Sequence, residues 1–107
     1  MILLFLTVAT LQPSDARQAI AQMGAARRAY RACIVEQTVA LGKGNAEPAE
    51  TVLRGVAAAC RPAEDAMMEA YAATPFSRRE VAIGVRRDRL LAEDEGVAAL
   101  LAARAAK

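Results

Sequence analysis

Cys33 and Cys60 occupy matching places in two alanine-rich stretches whose seam residues recur at alternating steps of three and four. The first stretch carries Met23, Ala26, Tyr30, Cys33, Gln37 and Ala40 at those steps; the second carries Leu53, Val56, Cys60, Ala63, Met67 and Ala70. Paired from the outside inward, Met23 with Ala70 through to Ala40 with Leu53, their residue numbers share one sum. That is the register of two helices folded back antiparallel around the stretch Gly42 to Pro48, with the cysteines facing each other across the seam. The pattern predicts an all-α fold: a disulfide-stapled antiparallel helical hairpin plus a third C-terminal helix.

A chain of 107 residues is one small domain, burying only roughly 60–65% of the surface its unfolded form exposes, so a covalent staple matters to it. Closing a loop of about 27 residues is worth on the order of 3–4 kcal/mol in the loop-entropy account. The rest of the core has little to offer in its place. There is no tryptophan, only four aromatic residues, and alanine fills about a quarter of the positions. Alanine lets helices approach closely but buries little apolar area, and burial free energy scales with that area. Arginine supplies twelve of the fourteen basic residues, which with the alanine load points to a GC-rich genome.

The N-terminus is apolar from Ile2 to Leu11, interrupted only by Thr7 and Thr10. It is far shorter than the ~20 residues a membrane span needs. Its length suits the apolar region of a signal peptide, and Ser14-Asp15-Ala16 places small residues where a cleavage site before Arg17 requires them. No basic residue precedes the run, a departure from the usual signal pattern. Residues 1–16 are thus read as a signal peptide and 17–107 as a single helical domain in the periplasm or secreted. A cysteine pair favours the same oxidising compartment.

Helix boundaries follow from local chemistry. The first helix is expected from an N-cap at Ser14 to about Leu41, where Gly42 and Gly44 stop it. The second is expected from the region of Asn45 to Pro48, with Asn45 as its cap, to about Ala73. Pro62 lies inside it, and the apolar register continues past the proline, so a kink just after Cys60 is preferred to two separate helices. Thr74-Pro75 ends that arm. Ser77 and Glu80 stand at capping-box spacing and open the third helix. Its apolar face reads as Ile83, Leu90, Val97 and Leu101, interrupted by Arg87 and Asp94, and Gly84 and Gly96 weaken it enough to expect a break near Glu93 to Gly96.

The catalytic inventory is thin. With no histidine the chain lacks the commonest general base and zinc ligand, and two distant cysteines are neither a redox CxxC nor a four-ligand metal site. There is no phosphate-cradling glycine loop and no nucleophile motif. No catalytic, metal or cofactor site is assigned. A net charge of +2 with interleaved signs does not suit a nucleic-acid backbone either. Gln37 is expected as a register-setting amide in the seam, and Tyr30 as a gap-filler opposite Ala63 with its hydroxyl at the rim.

Arg78, Arg79, Arg86, Arg87 and Arg89 on the third helix spread round it instead of stacking on one side; they read first as a solvated face and otherwise as the candidate interaction surface, for an acidic partner or anionic lipid. The expected role is that of an exported, non-enzymatic protein-interaction or structural module of the periplasm or cell envelope, partnered by another envelope protein or by itself. The alternative keeps the N-terminal run as an anchor and lays the arginine-bearing helix on a membrane surface. Intact-mass spectrometry of the native protein checks the first step of this reading: the expected N-terminus is Arg17, and a chain that retains Met1 in the envelope fraction favours the anchor instead.

Overall fold

The computed structural model describes residues 13–106. Four helices make up nearly all of them: α1 (Pro13–Gly42), α2 (Ala49–Ala59), α3 (Arg61–Ala72) and α4 (Arg78–Ala105). The pairings Cys33 with Cys60, Arg27 with Asp88 and Gly42 with Arg104 set the directions: α2 and α3 return along α1, and α4 runs parallel to α1. The result is an up-down-up bundle whose middle arm is broken once. α1 packs against all three other helices, most extensively against α4. The expected all-α hairpin with a third helix laid on it is therefore the observed fold.

The hairpin is stapled as its register requires. Cys33 and Cys60 form a disulfide with their Cα atoms 5.9 Å apart, within the span that unstrained bridges use. Cys60 is buried and Cys33 is partly buried at the edge of the core.

The middle arm corrects one expectation. It is not a kinked continuous helix but two helices, divided at Cys60, with Pro62 in the first turn of α3. Proline has no N–H to give the carbonyl four residues back, and in a first turn none is needed. The division is brief: Cys60 N–H still reaches Val56 O at 2.9 Å, and Glu64 N–H reaches Cys60 O at 3.0 Å. Cys60 itself has φ −95° and ψ 6°, close enough to helical values that the buried line Val52, Val56, Cys60, Met67, Tyr71 crosses the break in phase.

The end signals are also redistributed. Ser14 lies within α1 (Pro13–Gly42) and is not its cap. Asn45 does not open α2, whose cap position is Pro48. Its amide instead donates to Leu41 O at 2.8 Å while its carbonyl accepts from Glu47 N–H at 3.0 Å. From the far end of α4, Arg104 donates to Gly42 O at 3.1 Å and to Glu47 O at 2.7 Å. A cation at those carbonyls complements the negative end of the α1 dipole and ties the turn to the third arm. Ser77 caps α4 as expected, accepting from Glu80 N–H at 3.1 Å, but its hydroxyl also donates to the Glu80 carboxylate.

The expected break in α4 does not occur, since the helix runs unbroken from Arg78 to Ala105. Its glycines serve close approach. A Cβ on Gly84 would stand 2.9 Å from the Tyr71 ring, and one on Gly96 would stand 3.1 Å from Thr38 Oγ1. The buried face of α4 is Val85, Asp88, Ala92, Gly96 and Leu100, not the expected Ile83, Leu90 and Leu101, all of which are exposed. The α1 seam shifts in the same way: Gln37 and Ala40 are exposed, and Ile34 and Thr38 are buried in their place. α1 must serve α4 as well as the returning arm, so its buried line drifts toward the groove between them. Tyr30 is buried as expected, and burial raises its phenol pKa.

Met1 to Gln12, and with them most of the signal-peptide reading, lie outside the described residues. Ser14 to Ala16 lie within α1, and the first buried apolar side chain among the described residues is Met23. Two substitutions test the arrangement. In chemical melts the Cys33→Ala/Cys60→Ala pair should cost about 2–4 kcal/mol while leaving most of the helical circular dichroism. Pro62→Ala, at a position already compatible with proline, should be neutral or destabilising by no more than about 1 kcal/mol.

Candidate functional site

The most elaborate side-chain constellation was not anticipated from sequence. Asp88 is 0% exposed at the middle of the α1–α3–α4 contact. From α1, Arg27 approaches it side-on, Nε lying 3.0 and 2.9 Å from the two carboxylate oxygens and Nη2 2.9 Å from Oδ1. From α3, the Tyr71 hydroxyl donates to Oδ2 at 2.5 Å. Tyr71 reaches that oxygen by lying across Gly84, one turn before Asp88, where a side chain would obstruct the ring. Three helices therefore converge on one carboxylate. Among the described residues no buried side-chain nitrogen or oxygen lacks a partner, which is what makes a buried charge tolerable.

The electrostatics of this cluster favour a clasp. The hydrogen bond to Asp88 raises the Arg27 guanidinium pKa, so it stays charged. Burial, reinforced by the bond to Asp88, pushes the Tyr71 phenol up to about 12. A phenol so held does not give up its proton at neutral pH, and the carboxylate it serves is closed to solvent. The signal for Asp88 was in the sequence: Val81, Val85, Asp88, Ala92 and Gly96 recur at steps of three and four, a second stripe on the helix with a charge at its centre. Arg27 and Tyr71 carry no comparable mark.

The predicted arginine surface is dispersed. Arg78 and Arg89 border an open groove of about 580 Å³ between α3 and α4, floored by Met68, Phe76, Val81 and Val85. Arg89 is engaged there, donating to Glu64 at 2.9 Å and to Met68 Sδ at 3.6 Å. Arg87 borders a second cleft of about 350 Å³ with Arg27, Tyr71 and Ile83. Arg79 and Arg86 are exposed and line neither. The five side chains thus do not form one basic patch, as their spread round the helix implies. Among the described residues no cluster of three or more carboxylates or cysteines is placed to hold a metal ion.

What the described surface does present is a second apolar line on α4. Ile83 is 52% exposed, Leu90 52% and Leu101 56%, with Val97 partly buried between the last two. At 100° per residue this line lies across the helix from the face packed on α1. Comparison with family models, with curated proteins and with solved structures finds no match to this chain.

The clasp makes its own predictions. Tyr71→Phe, which removes one hydrogen bond to a charged group, should lower stability by about 1.5–3 kcal/mol, and Asp88→Ala, which strands Arg27 and Tyr71, by about 3–5 kcal/mol. Tyr71 titrates near pH 10 when unfolded and near 12 when folded. Its proton is therefore held more tightly in the native state, and the associated stability, complete below pH 10, falls away as the pH rises toward 12. Urea melts across that window should show a steeper decline for the native sequence than for Tyr71→Phe; equal slopes would remove the phenol from the account.

Proposed function

We propose that this chain is a non-enzymatic protein-interaction module acting in an oxidising compartment, the periplasm or cell envelope. The observation that carries the reading is the exposed apolar line of α4. A helix with one face in the core and an opposite face of Ile83, Leu90 and Leu101 in water has a surface fit to receive another protein. The disulfide, with both cysteines engaged in it, supports the compartment, because such bridges persist where thiols are not kept reduced. The non-enzymatic part rests on the chemistry of the Asp88 cluster, whose groups are engaged with one another and whose carboxylate is closed to solvent.

Mixed charge on the same face favours protein over lipid as the partner. Arg86 and Arg87 share it with Glu93 and Asp94, and anionic head groups would repel the latter pair. No described helix is long and apolar enough to cross a membrane. The test is capture from envelope extract on immobilised protein, comparing the native chain with Leu90→Glu. Native-specific retention of protein is expected, with no salt-sensitive flotation on anionic vesicles. Identical retention by both chains overturns the reading.

A further inference from the structure

The stripe that leaves α4 half unpartnered is not only apolar. It runs Ile83, Arg87, Leu90, Asp94, Val97 and Leu101, at steps of four and three throughout. That spacing is the seam of a helix packed against another helix at a small angle. It lies opposite the line Val85, Asp88, Ala92 that binds α4 to α1, so both faces can be occupied at once. Arg87 and Asp94 stand two turns apart within the seam, both exposed, and neither takes part in the ion pairs formed among the described residues. Seven residues of helix separate them by roughly 10 Å, so they do not neutralise each other within one chain.

Resting on the proposed interaction role, we infer that the partner of this face is a second copy of the chain, joined through antiparallel α4 helices around a two-fold axis that crosses the seam at the height of Ala92, on the opposite side of the helix from that residue. The charges choose the partner and the direction. Parallel packing in register would set Arg87 against Arg87 and Asp94 against Asp94, which repel. Antiparallel packing centred near Ala92 sets Ile83 against the Leu101 of the second copy at each end of the seam. It also brings Arg87 within about one turn of the second copy's Asp94. Two-fold symmetry makes each of these contacts twice, as an isologous interface requires. An unrelated partner would need its own matching array, whereas this surface is already its own complement.

The seam from Ile83 to Leu101 is about 27 Å long, and one helix pair of that length buries area at the small end of specific interfaces. Association is therefore expected to be concentration-dependent, with Kd of about 10–500 µM. Sedimentation equilibrium on the oxidised protein from about 5 µM to 1 mM tests this with variants at exposed positions that leave the core untouched, their folding checked by circular dichroism. Arg87→Asp alone and Asp94→Arg alone should each weaken dimerisation about tenfold or more, and Arg87→Asp/Asp94→Arg together should restore it to within about threefold. Leu90→Asp should give a monomer at every concentration. A native chain that stays monomeric to 1 mM, or a dimer indifferent to the single reversals, overturns the self-association. Native-specific capture of a different protein in the envelope experiment, found alongside such a monomer, would sink this inference and leave the interaction role standing.

Discussion

The bridge between Cys33 and Cys60 is the constraint on which the rest of the structure depends. It binds the middle of α1 to the one residue where the returning arm changes from α2 to α3. A break there would otherwise be a hinge, because Pro62 removes a backbone donor and the side chains around it are mostly alanine. With Cys60 anchored, the break costs the arm neither its line nor its register. Val56 above it and Met67 below it are both fully buried in the same core cluster. α4 then has a continuous groove in which to lie.

Within that groove the second element of order is polar. A core of alanine, valine and a few larger residues supplies area but little directional preference, so α4 could settle at several heights along α1 at similar cost. Asp88 removes that freedom. Arg27, Tyr71 and the bare backbone at Gly84 meet around one carboxylate at one height only, and a slip by a turn would leave a buried charge without partners. Arg104 repeats the same restriction at the far end, where it holds the carbonyls that close α1. α4 is thus pinned by hydrogen bonds at Asp88 and at Arg104, and between them it is shaped by small residues, Ala92 and Gly96, that admit α1 closely.

That assignment of faces has a functional consequence. Four of the five Ile and Leu side chains of α4, Ile83, Leu90, Leu91 and Leu101, are turned to solvent, while its inward face carries Val85, Asp88, Ala92, Gly96 and Leu100. A bundle gains little by excluding its largest apolar side chains unless they serve another surface. The proposed role in protein interaction and the proposed two-fold pairing both start from this inversion. The five arginines of the region form no single patch: Arg78 and Arg89 border one groove, Arg87 borders another, and Arg89 is already tied to Glu64.

What the sequence determined by itself was the register between two adjacent helices and the places where the chain turns. The matched stripes around Cys33 and Cys60, the turn at Gly42 to Pro48, the stop at Thr74-Pro75 and the cap at Ser77 are local or nearest-neighbour facts, and helical periodicity exposes them. What only the tertiary structure decided is how three helices divide their faces. α4 carries two stripes at helical spacing, and hydrophobicity singles out Ile83, Leu90, Val97 and Leu101, whereas α1 accepts the one that holds Val85, Asp88 and Ala92. Close approach to α1 at Thr38 and Gly96 demanded small residues, and Arg27 and Tyr71 supplied a partner for a charge that composition alone would have left in solvent. Gln37 and Ala40 failed for the same reason, since α1 bends its buried line toward a third helix whose position no pairwise register contains.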